Sequence, residues 1–223
     1  MFFDILNILH QILLFNVFYI IIILRSYFEH NIIIQGDVFM NTMEYWKEVW
    51  DRKGSTDTTD IRTIDGFEST VADLEKIANN ITKVMNIQPT DKVLEVGCGA
   101  GGVAQYLNCD YVGVDYSKPM ISKHIQLLRN SVLYSEANNL IFKDKSFDKV
   151  FIYGISHYFP DHKYANQVIS EMKRVAKKAI FIGDLPFESH RDTHLLYKKE
   201  DFKDWTIMDP DYNPLRFNVY LEL

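Results

Sequence analysis

Cysteine is scarce: Cys98 and Cys109 are the only two in 223 residues. Two cysteines cannot build a disulfide framework, so a hydrophobic core must hold the fold, and a reducing, cytoplasmic setting suits them. Cysteine and histidine never cluster at the spacing of a metal site. Positive charge is also short, with 24 Lys and Arg against 30 Asp and Glu and a formal net charge of −6. A polyanion needs a basic face, so this balance argues against nucleic acid as a partner. No internal repeat is present. The remainder is ordinary globular material, 47% hydrophobic and 24% charged, and long enough for one domain with some chain to spare.

Residues 1–39 stand apart. Met1 to Leu24 is rich in Ile, Leu and Phe, and Val17 to Leu24 is an unbroken apolar run. Asp4, Asn7, His10, Gln11 and Asn16 interrupt the segment, whereas a membrane-spanning helix needs about 20 mostly apolar residues. A secretory signal carries positive charge ahead of its apolar core, and here Arg25 comes behind it. Two readings stay open. One is an N-terminal anchor, with membrane contact only through residues 1–24. The other is a dispensable leader, with the working protein starting at Met40 or Met43, which the change of composition at Asn41 favours. The expected organisation is 1–39 as leader or anchor, 40–90 as a helical cap or lid, and 91–223 as the core.

The core is organised around Lys92 to Gly102, Lys-Val-Leu-Glu-Val-Gly-Cys-Gly-Ala-Gly-Gly. Val93, Leu94 and Val96 make the apolar run of a buried parallel strand. Gly97, Gly99, Gly101 and Gly102 then let the backbone turn sharply and pass close to a ligand. Val103 to Leu107 has helical character, which would end the loop at a helix start. Gly97-x-Gly99-x-x-Gly102 also satisfies the dinucleotide fingerprint, a weak match by itself. Glu95, two residues before the first glycine, is placed to meet a cationic group instead.

With Glu95, Gly97, Gly99 and Gly101 in this order, the chain resembles the class I S-adenosylmethionine-dependent methyltransferases, particularly their small-molecule, type 11 branch. The resemblance implies that Glu95 lies near the donor's methionine amine and that the loop, Cys98 included, cradles its methionine and ribose portions. Tyr111-Val-Gly-Val-Asp115 follows as a second strand ending on an acid, where ribose hydroxyls are bound in Rossmann-like units. Tyr116 falls where the family packs a side chain on the adenine. Glu136 to Asp148 resembles the family's acidic-Ala-x-x-Leu-Pro-Phe-x-Asp-x-Ser-Phe-Asp segment, with Glu in place of Asp and Ile141 in place of Pro. There Glu136 would accept a hydrogen bond from the adenine's amine and Ala137 would offer its backbone N–H.

The remaining pattern implies an α/β fold, a Rossmann-like doubly wound seven-stranded sheet, mostly parallel with a reversed final strand and helices on both faces. Helices are expected at Met43–Lys53, from about Thr70 to Asn86 with a Thr70-x-x-Asp73 capping box, from Ser117 to about Asn130, over Asp161–Val175 and over Lys199–Trp205. Gly54 to Gly66 is polar and turn-rich and reads as a mobile loop. The cofactor is expected to be S-adenosylmethionine and the acceptor a small molecule. Tyr153, at the end of the fourth strand, is expected beside the cofactor. His157 is the candidate base for the acceptor's proton, ahead of Tyr158, Tyr153, Asp184 and His190. A catalytically silent donor-binding protein and an NAD-dependent reductase are the alternatives.

Overall fold

The structure, a computed structural model, describes residues 42–189 and 193–223. The leader-or-anchor segment and His190 lie outside the described residues. The expectation of membrane association is corrected: among the described residues no helix is long and apolar enough to cross a membrane. The longest, of 14 residues, would extend about 21 Å against a hydrocarbon core of about 30 Å.

Seven strands are built from short apolar runs: β1 Lys92–Val96, β2 Asp110–Asp115, β3 Ser131–Tyr134, β4 Phe147–Tyr153, β5 Ala176–Pro186, β6 Thr206–Met208 and β7 Arg216–Glu222. Their order is β3-β2-β1-β4-β5-β7-β6. The first five are parallel, and β7 runs antiparallel between β5 and β6, the expected reversal. Both faces of the central strands are buried. In β4, Val150 and Ile152 enter one core while Phe151 and Tyr153 enter the other. That is why these strands read as continuous apolar runs and not as alternating ones. The chain winds outward from β1 through β2 to β3, then returns to start β4 on the other side of β1. A crevice opens at the carboxyl ends of β1 and β4, the topological switch point of such a sheet.

Among the described residues five α-helices flank the sheet: α1 Thr42–Gly54, α2 Ile61–Ile64, α3 Leu74–Val84, α4 Lys118–Leu128 and α5 His162–Val175. Helix α3 lays Ile77, Ala78 and Ile81 on Val93, Phe151 and Phe181, and α5 lays Val168, Met172 and Val175 on the opposite face. The start of α3 is later than the sequence suggests. Asp73 is its N-cap, accepting from Lys76 N. Thr70 belongs to the preceding turn, where its hydroxyl donates to Phe67 O. At the other end Asn86 adopts a left-handed φ of 50°, which stops the helix. The expected mobile loop at 54–66 is tied down. Asp60 caps α2, Ile64 is buried against Ala100 and Met120, and Lys123 Nζ donates to the carbonyls of Thr56 and Thr58. The expected helix at Lys199–Trp205 is only a 3₁₀ turn, Lys199–Phe202.

At the amino edge of the sheet, Asp91 and Lys149 are paired with both side chains buried. Burial alone would raise the Asp91 carboxyl, but bonds from Lys149, Gln88 and Lys178 outweigh it and hold it at about 2. Its contribution is present above the unfolded value of about 3.9 and is lost as pH falls through the folded one. Asp91→Ala leaves the Lys149 ammonium buried without its carboxylate and is expected to cost about 3 kcal/mol in urea denaturation. Asp91→Ala combined with Lys149→Met should recover much of that loss. Equal loss in the single and double variants would show that the pair is not the source.

Candidate active site

The chain leaves β1 through three glycines in the left-handed region, Gly97 at φ 74°, Gly99 at 50° and Gly101 at 101°. Space is the second demand. A Cβ on Gly97 would lie 2.3 Å from Ile155 Cδ1, and one on Gly99 would lie 2.4 Å from Asp65 Oδ1. The Gly99 space is therefore filled by a carboxylate from the segment after α2.

Asp65 accepts from Ala100 N at 2.6 Å and from Gly102 N at 2.7 Å. Asp115, at the end of β2, accepts from Gly99 N at 3.0 Å and from Ser117 N at 2.8 Å. Gly97 N and Cys98 N donate to Val114 O, and Gly101 N donates to Cys98 O. From Gly97 to Gly102, each amide thus has an acceptor within the chain. The helix expected at Val103–Leu107 is a single 3₁₀ turn, Ala104–Tyr106, because Leu107 is already extended ahead of β2. One such turn supplies little macrodipole.

Glu95 is 3% exposed, and Tyr111 Oη donates to its Oε2 at 2.6 Å. Gly113 makes the room, since a Cβ there would lie 2.8 Å from Tyr111 Oη and 2.7 Å from Cys98 Sγ. Burial pushes the Glu95 carboxyl up to about 8, against the pull of Tyr111. Burial likewise raises Asp65 to about 7 and Asp115 to about 6, in both cases against backbone N–H bonds. Burial also holds the Cys98 thiol well above its usual range, so Cys98 packs as a thiol and is no nucleophile.

These groups line a cleft of about 870 Å³, its open mouth included, within the range of small-molecule sites. Of the residues expected beside the cofactor, Glu95, Gly97, Cys98, Gly99, Asp115, Tyr116, Ala137 and Tyr153 line this cleft. Gly101 and Glu136 do not line it. Gly101 lies under α4, where a Cβ would meet Leu128 at 2.3 Å, and Glu136 sits beyond the rim, bridged to Asn139. The segment ahead of β1 supplies wall residues that no motif announced, Met43, Trp50, Asp65 and Phe67. Their only signal was the Asp-Gly turn at 65–66 and the aromatic spacing of α1.

His157 is buried at the carboxyl end of β4 and is not among the wall residues, whereas Tyr158 is. Arg216 Nη1 lies 3.3 Å from His157 Nδ1, and the His157 and Tyr158 rings are 4.0 Å apart. Asp184, at a left-handed φ of 64°, is buried behind the cleft wall with Arg216 Nη1 3.8 Å from its Oδ2. Tyr153 donates its hydroxyl to Asp211 at 3.0 Å.

A family model described as a methyltransferase domain matches residues 94–181, which span β1 to β5. Over that stretch the chain is similar to the methyltransferase domains of the type 11 branch. The demethylmenaquinone methyltransferase of Bacillus cereus (strain B4264) is 33% identical over 110 residues, covering 43% of this chain and 44% of that protein. The chain therefore spans less than half the length of the curated relatives it matches. Among solved structures, the magnesium protoporphyrin IX methyltransferase of Synechocystis PCC 6803 with bound S-adenosylmethionine superposes with a TM-score of 0.57. It is 14% identical, over 84% of this chain and 98% of that one. A methyltransferase from Aquifex aeolicus gives 0.55 at 21% identity, over 75% and 98%. These likenesses concern the fold.

S-adenosylmethionine is the cofactor of such a domain, and the cleft fits it on chemical grounds. Its wall carries three carboxyl groups and no Lys or Arg, which suits a sulfonium and an ammonium. The same carboxyls make ligand-free stability depend on pH. In the unfolded chain they titrate near 4, in the native state at about 6, 7 and 8. Between those values the native state holds more protons, so stability falls as pH rises from about 4 to about 8. Urea melts of the ligand-free protein at increasing pH are expected to show this fall, and Glu95→Gln should flatten its upper part. A stability that rises over the same window would contradict the burial of these acids.

Proposed function

We propose that the protein transfers the methyl group of S-adenosylmethionine to a small-molecule acceptor with an apolar, ring-like face. The observation that carries this reading is the glycine loop, in which the amides of Gly99, Ala100 and Gly102 end on the chain's own carboxylates and the other three on backbone carbonyls. A dinucleotide's pyrophosphate needs those amides and a helix start behind them; here Asp65 and Asp115 hold the amides and the helix is one turn. The reductase alternative loses its support.

Bound in the cleft, the donor supplies a methyl group on an electrophilic sulfonium. Asp115 accepts the ribose hydroxyls. Glu95, held at Oε2 by Tyr111, keeps Oε1 for the donor's ammonium. Tyr116 and Ala137 bracket the adenine, and Glu136 reaches its amine only by turning inward from the rim. Trp50, Phe67, Tyr158 and Phe159 form the apolar wall on which an acceptor is oriented and screened from water. His157 acts through Tyr158 in this reading. Arg216 can only donate, so His157 Nδ1 is an acceptor already in use and the neutral ring carries its hydrogen on Nε2.

Calorimetry is expected to show binding of S-adenosylmethionine and S-adenosylhomocysteine but not NADH; binding of NADH alone would overturn the proposal. Asp115→Ala should weaken donor binding by about 1–3 kcal/mol. Incubation with isotopically labelled donor and metabolite pools should label an acceptor, and donor binding with no label transferred to any pool would favour a silent binding protein. His157→Ala should lower turnover at every pH. Recovery at high pH, where an acceptor ionises unaided, would instead make His157 the base.

A further inference from the structure

We propose that Asp65 sets the donor site's specificity by rejecting adenosine 5′-phosphates. The inference rests on the reading of the cleft as an S-adenosylmethionine site. Adenosine phosphates share the adenine and ribose of the donor, so Asp115 and Ala137 cannot tell the two apart. The difference lies at the 5′ substituent, cationic in one and anionic in the other.

A glycine loop of this shape is a nest of backbone N–H groups that ordinarily suits phosphate. Here the amides of Ala100 and Gly102 end on the two oxygens of Asp65. The fit leaves no slack, since a Cβ on Gly99 or Gly102 would lie 2.4 or 2.9 Å from those oxygens. A phosphate would have to displace the carboxylate from both bonds and then sit beside Glu95 in a wall without Lys or Arg. Discrimination of this kind works by an unpaired like charge against the wrong ligand. Asp65 lies outside residues 94–181, the part matched by the family model. It is carried to the loop by α2, whose Ile64 packs on Ala100 and Met120. Selectivity is thus supplied by the cap and binding by the domain.

The test is competition calorimetry on the full chain with adenosine, AMP, ADP and S-adenosylhomocysteine. In the wild-type protein affinity should fall in the order adenosine, AMP, ADP, the reverse of a phosphate-binding loop. Asp65→Asn keeps the shape but removes the charge and one acceptor, and should narrow the gap between adenosine and ADP by about tenfold. Asp65→Ser, which leaves both amides open, should narrow it further. Wild-type protein that binds ADP as tightly as adenosine would overturn the inference even if neither variant folds. So would an unchanged gap in folded variants that still bind S-adenosylhomocysteine. Wild-type protein that binds ADP but not S-adenosylhomocysteine would bring down the donor reading itself.

Discussion

The amides of Ala100 and Gly102 end on the carboxylate of Asp65, and much of the site follows from that contact. It fixes the shape of the loop after β1, since backbone N–H groups away from water need acceptors. It requires glycine at 99, where any side chain would strike the carboxylate. It also joins the segment 42–73 to the sheet, so that α1 and the turn at Phe67 close the cleft over the ends of β1 and β4. A loop whose sequence satisfies two fingerprints is held in shape by one residue about 35 positions upstream.

The second consequence is electrostatic. Asp65, Glu95 and Asp115 face one cleft, and burial raises all three. At neutral pH Glu95, raised furthest by burial, is the one that keeps its proton until a cation arrives. The donor's charged groups therefore meet a wall that ionises in response to them. A methyl transfer from a sulfonium needs little further chemistry from the protein beyond orientation and exclusion of water, and the aromatic residues of α1, Phe67 and the turn after β4 provide both.

Local signals were read well from the sequence because local physics decides them. The apolar runs of β1, β2 and β4, the acid closing β2 and the Ser117 cap of α4 each express a short-range rule. The reversed β7 was legible from the antiparallel pairing of two short apolar segments at the end of the chain. Asp65 was not legible, since a polar stretch between Gly54 and Gly66 looks the same whether it is solvated or packed on a distant loop. Tyr111 is a similar case: its hydroxyl reaches Glu95 only because Gly113 has no side chain, a fact of pairing between strands. The position of His157 was open for the same reason, since a residue after a strand can face the cleft or turn behind it.

If burial keeps Glu95 protonated in the empty cleft, it must ionise on meeting the cationic donor. Calorimetric titration with S-adenosylmethionine at pH 7, repeated in two buffers of different ionisation enthalpy, reads that proton directly. Glu95, raised to about 8 without ligand, should lose its proton to the buffer on pairing with the ammonium, so release of about one proton per donor bound is expected. Proton uptake, or a binding heat that does not depend on the buffer, would show that Glu95 does not ionise on binding.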